Sequence, residues 1–190
     1  MISSKQDALW KKDELRWSAL MKQSQAGDAS AYNQLLSELG SVIEAYLRAN
    51  FGQLTMLEDC VQESLMAIHR ARHTFDSKRA FRPWFFTIIH HKTIDVLRRG
   101  ETINRQISSL AELDQNDIDQ VDLDRMIDGE RLMGNLSQEQ REAITLTKYH
   151  GMTTNEAAQL LGIKESAVKA RLRRGLKILQ KKWQQEWVES

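Results

Sequence analysis

The chain contains one cysteine, Cys60, and one proline, Pro83, in 190 residues. A lone cysteine excludes an internal disulfide framework and any cysteine-rich zinc site, and it suits a reducing, intracellular compartment. A lone proline, with no alternating runs of Val, Ile and Thr, argues against a sheet. No stretch approaches the roughly 20 apolar residues needed to span a bilayer. Residues 1–17 carry Lys5, Asp7, Lys11, Lys12, Asp13 and Glu14 and no apolar run, so a secretory leader is not expected and the protein reads as soluble. An excess of one charge is also missing, with 27 Lys and Arg against 26 Asp and Glu. What is present is 41% hydrophobic residues, enough for one or two small helical cores.

The neutral total hides an asymmetry. Residues 1–100 carry a net charge of +3, residues 101–135 a net of −6, and residues 136–190 a net of +4. Within the last segment, 163–182 holds eight bases and one acid, Glu165. The middle, SSLAELDQNDIDQVDLDRMID, has few apolar residues and cannot offset the entropy of ordering it. It reads as a flexible acidic linker with a short helix near 122–134. A plain solvated tether and a functional acidic segment are both open on composition. The expected fold is all-α: two helical domains, 1–100 and 131–190, joined by a linker over 101–130.

In the first domain, Leu15, Leu20 and Met21 open a helix that ends near Gly27. Asp28 caps a second helix, with Gly40 as its stop, and Ser41 opens a third. Thr55 and Glu58 have the spacing of a capping box. In the helix that follows, Leu57, Val61, Leu65 and Ile68 form a buried stripe, and Glu58, Asp59, Gln62 and Glu63 form an acidic and amide face. Such a face is either solvated or a docking surface. A loop then brings Lys78, Arg79 and Arg82, and Pro83 suits the first turn of the next helix. That helix has an aromatic and aliphatic side through Trp84, Phe85, Ile88 and Ile89. Its other side carries His91, Lys92, Asp95, Arg98 and Arg99, a pairing suited to single-stranded nucleic acid. Core packing is the competing account of Trp84 and Phe85. Adjacent His90 and His91 point about 100° apart on a helix, so no metal site is expected.

In the last domain, Ser137–Gln140 and Thr153–Glu156 are two capping boxes, and Gly151 breaks the helix between them. Gly162 supplies a left-handed corner, with Ala157 and Ala158 allowing a close helix crossing. The final helix directs Val168, Leu172 and Leu176 inward and Lys169, Arg171, Arg173, Arg174 and Lys177 outward. Helix, glycine turn and basic helix together make a helix-turn-helix able to enter a major groove.

The segments LEDCVQESLMAIHRARHTFDSKRAFRPWFFTIIHHKTIDVLRRG and LSQEQREAITLTKYHGMTTNEAAQLLGIKESAVKARLRRGLKIL resemble the second and fourth regions of extracytoplasmic-function sigma factors of bacterial RNA polymerase. The resemblance implies a cytoplasmic subunit without cofactor, metal, small-molecule substrate or catalytic residue, binding core polymerase and promoter DNA. It implies core docking through Asp59, Gln62, Glu63 and Phe75. Strand capture at the minus-ten element falls to Lys78, Arg79, Arg82, His91, Asp95, Arg98 and Arg99. Duplex reading at the minus-thirty-five element falls to Lys164, Ser166, Lys169, Arg171, Arg173 and Arg174. An anti-sigma factor, often membrane-anchored in such families, is the implied regulator, and the linker is implied to occupy the RNA-exit path. Three positions depart from the pattern. His90-His91 replaces the usual Arg-Asn, Lys164 replaces a capping Ser or Thr worth roughly 1 kcal/mol, and Ala157 replaces an isoleucine.

Two other functions fit parts of this pattern. A ligand-responsive regulator would use the same C-terminal motif but bind duplex DNA unaided. An enzyme built on Glu58, Asp59, Glu63 and the histidines would need a phosphate loop, nucleophile elbow or HExxH, none of which occurs.

Overall fold

The computed structural model describes residues 4–52, 56–110 and 133–188, and among these every regular element is helical. The first group comprises α1 (Ser4–Gln25), α2 (Ala29–Phe51), α3 (Leu57–Ala71), a 3₁₀ turn (Arg72–Thr74) and α4 (Phe81–Leu110). The second comprises α5 (Gln138–Ile144), which runs into a π-helical turn (Thr145–Tyr149), then α6 (Thr154–Leu161) and α7 (Glu165–Val188).

The two helices expected on either side of Gly40 are one. Leu35, Leu39, Ile43, Tyr46 and Leu47 of α2 are fully buried and form one stripe that passes Gly40 without interruption. An interior glycine costs about 1 kcal/mol, whereas each buried Leu or Ile contributes about 1.5–3 kcal/mol, so the stripe wins. The helix stops at Gly52, where φ is +70° and the amide bonds the Arg48 carbonyl. Asp28 caps the start as expected, accepting from the Ala31 amide at 3.0 Å. α1 begins well before the expected Leu15, which is exposed, and its inward residues are Trp17, Leu20 and Met21. At α3 the N-cap position is Met56, which makes no side-chain cap; Thr55 lies outside the described residues.

α4 has a cap that no local motif announces. The Glu14 carboxylate of α1 accepts hydrogen bonds from the Phe81 and Arg82 amides, satisfying two orphan donors of the first turn and placing an anion at the helix's positive end. Phe81, Phe85, Phe86 and Ile89 fill the core against Trp17, Tyr46 and Phe75. Helix α4 continues to Leu110, into the stretch expected as linker. The rest of that stretch up to residue 132, including nearly all of the short helix expected near 122–134, lies outside the described residues.

Both capping boxes of the second group form. The Ser137 and Thr153 hydroxyls accept from the Gln140 and Glu156 amides, and those side chains accept from the Ser137 and Thr153 amides. Gly162 is left-handed, and Ala157 and Ala158 are buried where α6 meets α7. One inward position of α7 differs from expectation: Leu176 is exposed, and Gly175 faces the core instead. A Cβ at Gly175 would lie 2.7 Å from Ile144 Cδ1, so the missing side chain is what lets α5 and α7 approach.

The two groups touch. α6 packs on α4, and α5 with its π-turn packs on α2. Their buried apolar residues form one continuous cluster.

Candidate nucleic-acid and polymerase interface

Three surfaces carry the residues singled out above. The first is the outer face of α3, where Glu58, Asp59 and Gln62 are exposed on successive turns. Glu63 is turned sideways and half-buried, pairing with Lys92 at 3.3 Å and Arg99 at 3.9 Å on α4. Cys60 points into the core, and burial, then the nearby Asp59 charge, pushes its thiol up. It is therefore a protonated packing residue.

The second surface is the loop 76–80 with the outward side of α4. The Asp76 side chain accepts from the Lys78 amide at 2.9 Å, and its carbonyl accepts from the Arg79 amide at 2.9 Å. This small turn presents Lys78 and Arg79 to solvent. His91, Asp95, Arg98 and Arg99 follow along the exposed side of α4. Trp84 is half-buried: its ring leans on Phe75 and Phe81, and its N–H donates to the Thr74 hydroxyl at 3.1 Å. Core packing thus accounts for much of Trp84 and all of Phe85, while one edge of Trp84 lines a cleft of about 700 Å³ with Arg79 and Ile88. Only one histidine of the pair faces out. His90 is half-buried near the Tyr46 hydroxyl at 3.4 Å, and burial, then His91, pulls its pKa down.

The third surface is the start of α7. Lys164, Ser166, Lys169, Arg173 and Arg174 are exposed on it. Glu165 is drawn into the turn by the Thr154 hydroxyl at 2.5 Å and by Lys169 at 2.9 Å, which hold its carboxyl below the usual range. Lys164 itself forms no side-chain cap here; its carbonyl accepts from the Ala167 and Val168 amides.

Three residues expected at contact surfaces are turned inward instead. Phe75 is 5% exposed, edge-on to Phe81, because the loop closes the aromatic core with it. Arg171 pairs with Glu139 of α5 at 3.3 Å and keeps 18% of its side chain exposed. Arg82 is 6% exposed. Its guanidinium lies 3.4 Å from Glu14 and 3.9 Å from Asp13, stacks 4.7 Å over the Trp17 ring, and donates to the His150 carbonyl at 3.0 Å. Burial pulls its pKa down while the two carboxylates oppose that. The residues around Arg82 were not apparent from sequence because Asp13, Glu14 and His150 lie about 70 positions away on either side.

Among the described residues, no group of three or more His, Cys, Asp and Glu side chains could hold a metal ion, and no helix is long and apolar enough to cross a membrane.

The described residues thus combine an exposed acidic helix face, a basic loop beside an aromatic cleft, and a basic helix-turn-helix. Residues 32–102 match the Sigma-70 region 2 family and residues 130–179 match Sigma-70, region 4. The chain is 35% identical over 167 residues to the ECF RNA polymerase sigma factor SigF of Caulobacter vibrioides, covering 87% of this chain and 93% of that one. It is 31% identical over 160 residues to the ECF RNA polymerase sigma factor SigL of Mycobacterium tuberculosis, covering 81% and 89%. The structure resembles CnrH in its complex with the cytosolic domain of CnrY, with a TM-score of 0.62 and 27% identity over 89% of this chain and 97% of that one. The fold also matches RpoE of Bartonella quintana, solved with the anti-sigma factor NepR, at a TM-score of 0.60 and 24% identity over 79% and 94%. The chain belongs to the extracytoplasmic-function sigma factors of RNA polymerase.

Proposed function

We propose that this sigma factor docks on core polymerase through Asp59 and Gln62, with Glu63 acting indirectly by orienting Lys92 and Arg99. The support is geometric: Asp59 and Gln62 are exposed neighbours on a rigid helix whose opposite side is anchored by Cys60, Ser64 and Ile68 in the core. Lys78, Arg79, His91, Asp95, Arg98 and Arg99 form the minus-ten surface. Their charges track phosphates, and the cleft beside Trp84 offers room and an aromatic edge for an unstacked base. Lys164, Ser166, Lys169, Arg173 and Arg174 form the minus-thirty-five surface, at the end of a helix held by the Gly162 turn. We place the domain limits at 1–100 and 131–190, with α4 running past the first of them to Leu110, and the linker between the domains follows the RNA-exit path.

The chain performs no covalent chemistry of its own. It is a positioning subunit: two weak DNA contacts on one scaffold raise each other's effective concentration, and capture of an unstacked strand favours the melted promoter. The regulator is an anti-sigma factor, in line with the complexes in which CnrH and RpoE were solved. Anchoring of that factor in the membrane would hold this chain at the cytoplasmic face.

The observation that carries this reading is the coexistence of the exposed α3 face and the helix-turn-helix in one chain. Initiation with purified core polymerase tests it. The chain should direct a defined start site, and Asp59→Ala with Gln62→Ala should weaken association with core at least about tenfold, near 1.4 kcal/mol, with helicity unchanged. Unchanged association rejects the docking face. Tight duplex binding without polymerase would instead indicate an ordinary regulator.

A further inference from the structure

The loop 76–80 presents Lys78 and Arg79 on a short turn, yet both of its ends are fastened to one helix outside it. At the entry, the Gln25 side-chain amide of α1 donates to the Arg72 carbonyl at 2.7 Å and to the Phe75 carbonyl at 3.0 Å. At the exit, the Glu14 carboxylate of the same helix accepts from the Phe81 amide and, at 3.3 Å, from the Arg82 amide. Between these grips the Trp17 ring lies 5.9 Å from Phe81 and 6.2 Å from Phe85, centre to centre. Phe75 and Phe81, the residues that flank the loop, meet edge-on at 5.2 Å. Glu14, Trp17, Met21 and Gln25 follow at steps of three and four along α1, so they leave one face of the helix. The buried Trp17 and Met21 seat that face on the first domain, and the polar residue at each end of the stripe takes one end of the loop.

We propose that α1 is a two-point brace on the minus-ten loop, with Gln25 and Glu14 as its positioning residues: they touch no DNA but fix the loop that does. The proposal rests on the promoter-binding reading above. Asp76, Arg79 and Ala80 of the loop form one wall of the cleft beside Trp84, so whatever sets the loop's backbone sets the shape of that cleft. An unrestrained loop would have to be ordered at the moment a base enters, which lowers affinity. Here groups from a separate helix have already ordered it. The grips also suit a site that accepts phosphates. Gln25 is neutral and supplies donors where the loop offers carbonyls. The Glu14 charge is offset by the Arg82 guanidinium at 3.4 Å as well as by the two amides, so it adds little repulsion toward a strand. Core building accounts for Trp17 but not for Gln25. That residue is exposed, lies outside the apolar core, and directs both of its bonds at the loop's entry.

Full-length protein tests this with Gln25→Met, which keeps the length of the side chain and removes its donors without touching the core. Glu14→Gln is a second variant, which removes the charge and one acceptor at the other grip, and Lys22→Ala on the exposed side of α1 is the control. In the free protein, hydrogen exchange is followed at the Arg79 amide, which bonds the Asp76 carbonyl inside the loop. Exchange there should quicken about fivefold in both variants, the effect of losing roughly one neutral hydrogen bond, and stay unchanged in the control. In holoenzyme with core polymerase, the probe is a fluorescein-labelled non-template strand spanning the minus-ten element of a promoter that wild type opens. Both variants should capture it about fivefold more weakly, with affinity for the minus-thirty-five duplex of the same promoter unchanged. Wild-type exchange at Arg79 in both variants overturns the brace. Faster exchange with undiminished strand capture, or equal losses for strand and duplex, overturns the positioning role. A wild-type holoenzyme that opens no promoter overturns the promoter-binding reading and, with it, the loop's part in recognition, whereas exchange at Arg79 decides the brace by itself.

Discussion

His150 should be the acid-sensitive point of this fold. It is 9% exposed, ringed by Tyr46 and Phe86, and the Arg82 guanidinium bonds its carbonyl. Burial, and then the Arg82 charge, pulls its pKa from the usual 6.5 to about 3. The unfolded chain therefore takes up this proton before the folded chain does. Stability from this group is whole above pH 6.5 and is lost as pH falls toward 3. Between those limits the loss grows by about 1.4 kcal/mol per pH unit, reaching about 2 kcal/mol at pH 5. His90, also pulled down by burial, acts in the same direction, so a difference measurement is needed. Urea denaturation of wild type and His150→Phe at pH 7 and pH 5 isolates the term, because phenylalanine keeps a ring in the site and removes the titration. The variant should lose about 2 kcal/mol less than wild type between the two pH values. Equal losses would refute the argument, as would a His150 ring signal titrating near 6.5 by NMR.

Two further outcomes are expected. Glu14→Ala removes the cap of α4 and the nearer partner of buried Arg82, so it should destabilise by about 2–4 kcal/mol in urea at pH 7; a loss under about 0.5 kcal/mol would show that Asp13 and the carbonyls suffice. Arg173→Ala with Arg174→Ala should flatten the slope of log affinity against log salt for promoter duplex by about 2 and weaken binding across sequences, measured by anisotropy with polymerase holoenzyme; an unchanged slope would remove these residues from the phosphate contacts.

Local signals predicted local structure well. The Ser137 and Thr153 boxes, the Asp28 cap and the Gly162 corner each involve groups within five residues, so their geometry follows from the residues themselves. Gly40 and Leu176 misled for one reason: a position's role depends on what lies across from it. At Gly40 the buried stripe carries the helix through. At Gly175 the Ile144 side chain occupies the space where a Cβ would sit, and the inward register moves off Leu176. Phe75, Arg82 and Arg171 were legible as aromatic or basic positions but not as inward-facing ones, since Phe81, Glu14 and Glu139 reach them only in the folded chain.

The sequence by itself determined the helical class, the caps, the basic helix-turn-helix and the family, because periodicity, spacing and charge act over one or two turns. Only tertiary structure decided which of the charged residues remain available to a partner, and that α1 joins the two domains. Charge pairing and burial depend on distance in space, and the chain brings Trp10, Glu14, Arg82 and His150 together across 140 positions of sequence.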